Sequence, residues 1–203
     1  DLDLLKRCVE MSKVLRWADA DKTKLELAEG AEVVFGGDSL QEGNKDVTVA
    51  KLLVDLKKRH KDHVHFIAGS RDAKGLEQSG NADRDPCLAE YEEVQELGYV
   101  YGKTLFLHTA VPSDKFGMVP SESARSGSVH GWVARLNKVC AESITDKSKK
   151  QELMEFLAAS ENPCVLNTFA PLDKDTRKLL MFSSSSICNL VICGHSVHGD
   201  CPA

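Results

Sequence analysis

Asp38 follows the run Val33-Val34-Phe35 and the pair Gly36-Gly37. Ser70, Arg71 and Asp72 follow His63–Ala68 and Gly69, and His108 follows Thr104–Leu107. His195 and, three residues later, His198 come after Cys188–Cys193 and Gly194. Each polar group therefore stands just past a β-rich apolar run. Carboxylate oxygens and imidazole nitrogens are donors for Zn, Mn or Fe. Two such ions about 3.5–4 Å apart can clamp the attacking and leaving oxygens of a phosphoryl transfer. The guanidinium fork of Arg71 suits a phosphate oxygen pair. Glycines ahead of Asp38, Ser70 and His195 allow the sharp turns that re-aim the backbone. Taken singly, each feature is ordinary: a Gly-Asp after a strand is commonly a turn, and a strand-end histidine is commonly a satisfied core group. His60, His63 and His65 read as surface or half-buried residues, and His130 as structural. Only the ordered set of four strand–turn units points to a site.

Elements of two kinds must position these groups. Leu4, Cys8, Met11 and Leu15 fall at spacings of four, three and four, which predicts an amphipathic helix over 2–18. A second helix carries Val49, Leu53, Leu56 and His60 on one face, with Lys57, Lys58 and Arg59 in its last turn, where cations complement the helix dipole. Residues 72–86 lack apolar periodicity and read as loop. Tyr91, Val94, Leu97 or Gly98, and Tyr101 predict a further helix, and Val111 to Gly127 a loop. Val129, Trp132, Leu136 and Val139 or Cys140 mark another helix, followed by shorter ones over 149–158 and 175–182. Strands separated by helices give an α/β fold in one domain over 1–203, with a mostly helical insertion over about 112–173. In open α/β sheets, ligands bind beyond the carboxyl ends of the strands, where Asp38, Arg71, Asp72, His108, His195 and His198 fall.

Composition narrows the function. The 203 residues are 42% hydrophobic and carry 26 basic against 31 acidic side chains, for a net charge of −5. No basic excess indicates nucleic-acid binding. No apolar run approaches the roughly 20 residues of a membrane span, and no secretory signal stands at the start. The seven cysteines include no CxxC pair, which argues against a zinc ribbon or a thioredoxin motif. Their odd number and apolar neighbours predict reduced thiols in an intracellular compartment, cytoplasmic or organellar.

Taken in order, Val33–Asp38, Val49–His60, Val64–Asp72, Leu105–His108 and Gly194–Pro202 resemble the calcineurin-like metallophosphoesterase family. The likeness is to its protist and algal branch, whose third motif is Gly-Asn-Arg-Asp, and Trp132–Asn137 is similar to the helix between the last two motifs. The resemblance implies two β-sheets packed as a sandwich with helices outside, a four-layer α/β/β/α arrangement. It implies a dimetal site in which Asp38 is the bridging carboxylate, His108 and His195 are imidazole ligands, and His198 serves the other ion. Arg71 then holds phosphate, with Asp72 beside it in the catalytic motif.

The departures from the family pattern bear on activity. Gln41 and Glu42 stand where the family has a second Asp and a basic residue, so an anion replaces a cation facing phosphate. Ser70 replaces a metal-ligating Asn, and Asn44-Lys45 replaces Gly-Pro. The family's first motif, Asp-x-His or Asp-x-Glu, would lie upstream of Asp1. Changes around a metal can cost roughly 10–100-fold in affinity or activity even beyond the direct ligands, and lost charge at a phosphoryl site about 3–4 kcal/mol. The expectation is an eroded site holding one divalent metal or none (Mn, Zn or Fe), in a non-catalytic structural or interaction subunit whose partners are other proteins. The alternatives are an active metal-dependent phosphatase of phosphate monoesters and a module that binds a phosphate or nucleotide ligand without turnover.

Overall fold

The computed structural model describes residues 2–40, 45–72, 85–109, 116–158 and 190–193, and the fold is mixed α/β. The first helix, α1, spans Leu2–Met11 and buries Leu5 and Val9. It stops well short of the expected residue 18. The Ser12 hydroxyl accepts the backbone N–H groups of Val14 and Leu15 at 3.2 and 2.9 Å, which turns the chain out of the helix. Leu15 then opens strand β1 (Leu15–Trp17), paired antiparallel with β2 (Leu25–Leu27), so that Leu15 lies across from Leu27. The regular spacing that suggested a longer helix places Leu15 in the core from a strand instead.

Strand β3 (Val33–Phe35) lies parallel to β4 (Val64–Ile67), and β4 lies parallel to β5 (Gln95–Glu96). Helix α2 (Asp46–Arg59) joins the first two and buries Val49, Ala50, Leu52, Leu53, Val54 and Leu56. Its basic last turn is used locally. Arg59 pairs with Glu26 and Asp55, both at 2.8 Å, and Lys57 donates to the Val64 carbonyl at 2.5 Å. One core therefore gathers α1, the β1–β2 hairpin, the inner face of α2, and Phe66 and Tyr91.

Helix α3 (Pro86–Glu93) starts where Asp85 accepts the Cys87 N–H at 2.8 Å, with proline in the first turn. It ends eight residues before Tyr101, where the expected helix would have ended. β5 follows, and Tyr99–Tyr101 form β6, antiparallel to β7 (Thr104–Leu107). The alternation Tyr-Val-Tyr suits a strand. Gly102, at φ 56, closes the tight turn that puts Tyr101 opposite Thr104. Strand β8 (Leu190–Cys193) adds parallel to β7.

Helix α4 (Val129–Thr145) is capped by Ser128, whose hydroxyl accepts the Gly131 N–H at 3.1 Å, and α5 (Lys147–Ala158) follows Asp146. Trp132 is fully buried against Leu105, Leu107, Leu136 and Leu153, and its indole N–H reaches the Met118 carbonyl at 2.7 Å. Truncating such a side chain costs about 3–5 kcal/mol. The two sheets meet where the His65 imidazole stacks on Tyr99 with ring centroids 3.4 Å apart. Among the described residues no helix is long and apolar enough to cross a membrane, and Cys8, Cys87 and Cys140 are free thiols. The helix expected over 175–182 lies outside the described residues.

Candidate functional site

The first turn of the site begins at Gly37, whose φ of 96° is open only to glycine at ordinary cost, and continues into Asp38 at φ 54. A Cβ on Gly37 would lie 2.9 Å from the Gly69 Cα and would collide with the His108 imidazole. One on Gly69 would run into the Asp38 backbone and carboxylate and stand 2.8 Å from His108 Cε1. The turns after β3 and β4 and the end of β7 are thus in close contact, and the absence of two side chains is what lets them approach.

Asp38 and His108 meet in this space. His108 Nε2 lies 3.4 Å from Asp38 Oδ2, and its Nδ1–H donates to the Gly36 carbonyl at 2.7 Å. Asp38 Oδ1 accepts the Arg71 backbone N–H at 2.9 Å. The Ser70 hydroxyl stands 3.4 Å from both Asp38 oxygens, a long contact in which only the hydroxyl can donate. Asp72 is 2% exposed, and its Oδ2 accepts the N–H groups of Asp38 at 2.8 Å and Gly69 at 2.9 Å. Its Oδ1 is buried without a hydrogen-bond partner.

These contacts set the charges. Burial alone would raise the Asp38 pKa, but the His108 hydrogen bond, the Arg71 N–H and the two nearby cations bring it down to about 2. Burial pulls His108 down, and its bonds to Asp38 and Gly36 outweigh that, so its pKa is raised. Asp72 responds mainly to burial. Its two backbone hydrogen bonds do not offset this, and its pKa is pushed up to about 6.

The strand-end groups thus separate into two sets. Asp38, Ser70, Arg71, Asp72 and His108 come together, with Arg71 contributing its backbone N–H. Asp72 holds the two turns by their N–H groups and sits behind Asp38. His195 and His198 lie outside the described residues, as do Gln41 and Glu42. As a metal centre the described donors are incomplete. Asp38 and His108 supply one oxygen and one nitrogen where a zinc or manganese ion takes four or more ligands. Among the described residues no group of three or more His, Cys, Asp or Glu side chains is arranged to hold a metal ion.

Sequence spacing gave no sign of the cavity beside this cluster. It has a volume of about 430 Å³ and runs along Val33–Ser39 between β3 and α1, with Leu4, Cys8, Val49 and Leu53 in its walls. The available signal was the Leu4–Cys8 part of the α1 stripe, which lines this space together with the buried Leu5, while Val9 enters the core.

No protein-family model, curated protein or solved structure matches this chain.

Proposed function

We propose that the chain is a metallophosphoesterase-type domain with an eroded dimetal site, acting as a non-catalytic structural or interaction subunit of a larger assembly. The observation that carries this reading is the position of Ser70. The family resemblance expects a metal-ligating Asn there, whereas the Ser70 hydroxyl faces both oxygens of Asp38 at 3.4 Å. A place for a ligand is occupied by a donor to another ligand. Asp72, beside Arg71 in the same motif, is spent on the N–H groups of Asp38 and Gly69. The metal expected from the resemblance is thus poorly served by the described residues, and no reaction step is assigned to it.

The test is hydrolysis of p-nitrophenyl phosphate by the purified chain with added Mn. The expected result is no turnover above that of an Asp38→Ala control. Metal-dependent turnover lost in that control would overturn the reading.

One observation favours an active phosphatase instead. The Gly36 carbonyl fixes His108 Nδ1 as the N–H and aims Nε2 at Asp38, the arrangement that orients imidazoles bound to metal ions. The same assay separates the two readings.

A further inference from the structure

Behind the strand-end cluster, three buried side chains carry polar atoms that the described residues leave unsatisfied. Tyr91 is fully buried, Asp72 is 2% exposed and Gln95 is 5% exposed. Among the described residues, Tyr91 Oη, Gln95 Oε1 and Nε2, and Asp72 Oδ1 have no hydrogen-bond partner. Gln95 of β5 lies across from Phe66 of β4, and the Phe66 ring packs on Tyr91 of α3 with centroids 5.2 Å apart. Cross-strand partners project to one face, so the amide and the phenol share a side of the sheet. Asp72 stands close to both: after burial itself, its carboxylate is the strongest influence raising the Tyr91 pKa. Ser39 and the Gln95 amide are further polar neighbours of the phenol, and neither completes a hydrogen bond to it.

The orphaned atoms define the chemistry of what joins them. Tyr91 Oη–H and Gln95 Nε2–H are donors, whereas Asp72 Oδ1 and Gln95 Oε1 are acceptors. A cation would serve the oxygens and leave both donors unpaired, and an anion would face the Asp72 carboxylate. Water donates twice and accepts twice, and internal waters make about three hydrogen bonds to groups of this kind. We infer that one or two resident water molecules bridge Tyr91, Gln95 and Asp72, accepting from the phenol and the amide and donating to Asp72 Oδ1. Asp72 Oδ2 already holds the N–H groups of Asp38 and Gly69, so the water braces the same carboxyl from α3 and β5. Tyr91 and Gln95 are thereby positioning residues for the two turns of the candidate site. This inference goes beyond the eroded-site reading and does not depend on whether a metal binds.

The test uses the full chain at pH 8, above the Asp72 pKa of about 6. Water-oxygen magnetic relaxation dispersion counts long-lived internal waters, and the wild type should hold at least one more than Gln95→Met. Tyr91→Phe should lower the folding equilibrium constant about 5-fold or more, read by urea unfolding, because it removes a bonded hydroxyl. Deleting an unpaired hydroxyl would instead leave that constant unchanged or raise it. The double variant should lose less than the product of the two single losses, since both residues act through the same water. In Gln95→Met the Asp38 amide hydrogen should exchange faster relative to the amides of α4, a local loosening that a general loss of stability does not give.

Equal water counts in the wild type and Gln95→Met would overturn the inference. So would a Tyr91→Phe chain as stable as the wild type, or unchanged relative exchange at Asp38. Stability that rises with potassium chloride and not with tetramethylammonium chloride would give the place to a cation and overturn it too. A crystal structure of the wild type serves even where a variant fails to fold. Ordered water between Asp72, Tyr91 and Gln95 is the expected result, and a direct bond from the Gln95 amide to Asp72 with no water between them would contradict it.

Discussion

Asp72 accepts the backbone N–H of Asp38, 34 residues away, at 2.8 Å and so fixes a left-handed residue in the turn that follows β3. With Gly69 N–H on the same oxygen, one buried carboxylate ties the turn after β3 to the turn after β4.

Asp72→Ala should therefore act on the fold as well as on the site. It leaves two backbone N–H groups without their acceptor, at a cost of about 2–4 kcal/mol in total. Asp72→Asn keeps an acceptor oxygen and should retain most of the stability. Urea unfolding of the two variants at pH 5 distinguishes them, and equal losses would refute the tether.

The same carboxyl sets a pH dependence with a definite sign. Asp72 has a folded pKa of about 6 against an unfolded value near 3.8, so the folded state binds the extra proton between them. Its contribution to stability falls as pH rises from about 4 to about 6. Asp38 works the other way: with a folded pKa of about 2, its contribution is present above the unfolded value and is lost as pH falls toward 2. His108, with a raised pKa, stabilises below its unfolded value, and that part is lost as pH rises through the folded one. Relative to the wild type, Asp72→Asn should gain up to about 3 kcal/mol between pH 4 and pH 7. Parallel stability curves for the two proteins would contradict this.

Gly37→Ala should be a disruptive small change at the site. The added methyl meets His108 and the Gly69 backbone at a residue already at φ 96. Strain of this kind costs about 1–3 kcal/mol. Loss of stability, together with a shifted His108 imidazole resonance, is the expected outcome. An unperturbed His108 resonance would show that the turns are looser than described.

Asn137→Ala tests the join between α4 and the strands. The Asn137 carbonyl accepts the N–H groups of Leu97 and Gly98 at 2.8 and 3.3 Å, and its amide donates to the Gly98 carbonyl at 2.9 Å. Removing the side chain should cost about 1–3 kcal/mol, read by thermal or urea unfolding. A change below about 0.5 kcal/mol would mean that these bonds are replaced by water.

Parts of this architecture are legible in the chain itself. Val33–Phe35, α2 and Val64–Ile67 each announce themselves by composition and by the glycine or cationic turn that ends them, and Thr104–Leu107 by composition alone. The convergence of Asp38, Ser70, Arg71, Asp72 and His108 follows from their common place after strands. Where spacing misled, two periodicities overlapped. Leu15 continues the α1 stripe yet is drawn into a strand by the Ser12 turn, and Leu97 and Tyr101 match a helical face yet lie on either side of a strand boundary. Strands of three residues such as Leu15–Trp17 and Leu25–Leu27 are too short for alternation to register. The tether from Asp72 to Asp38 and the bracket of Asn137 on Gly98 depend on partners more than thirty residues away, which no local pattern encodes.

The most direct measurement is metal stoichiometry. The purified chain is dialysed to equilibrium against Mn or Zn, and bound ions are counted in the wild type and in Asp38→Asn. The eroded-site account expects no more than one ion per chain. Two tightly held ions per chain, both lost in Asp38→Asn, would contradict it.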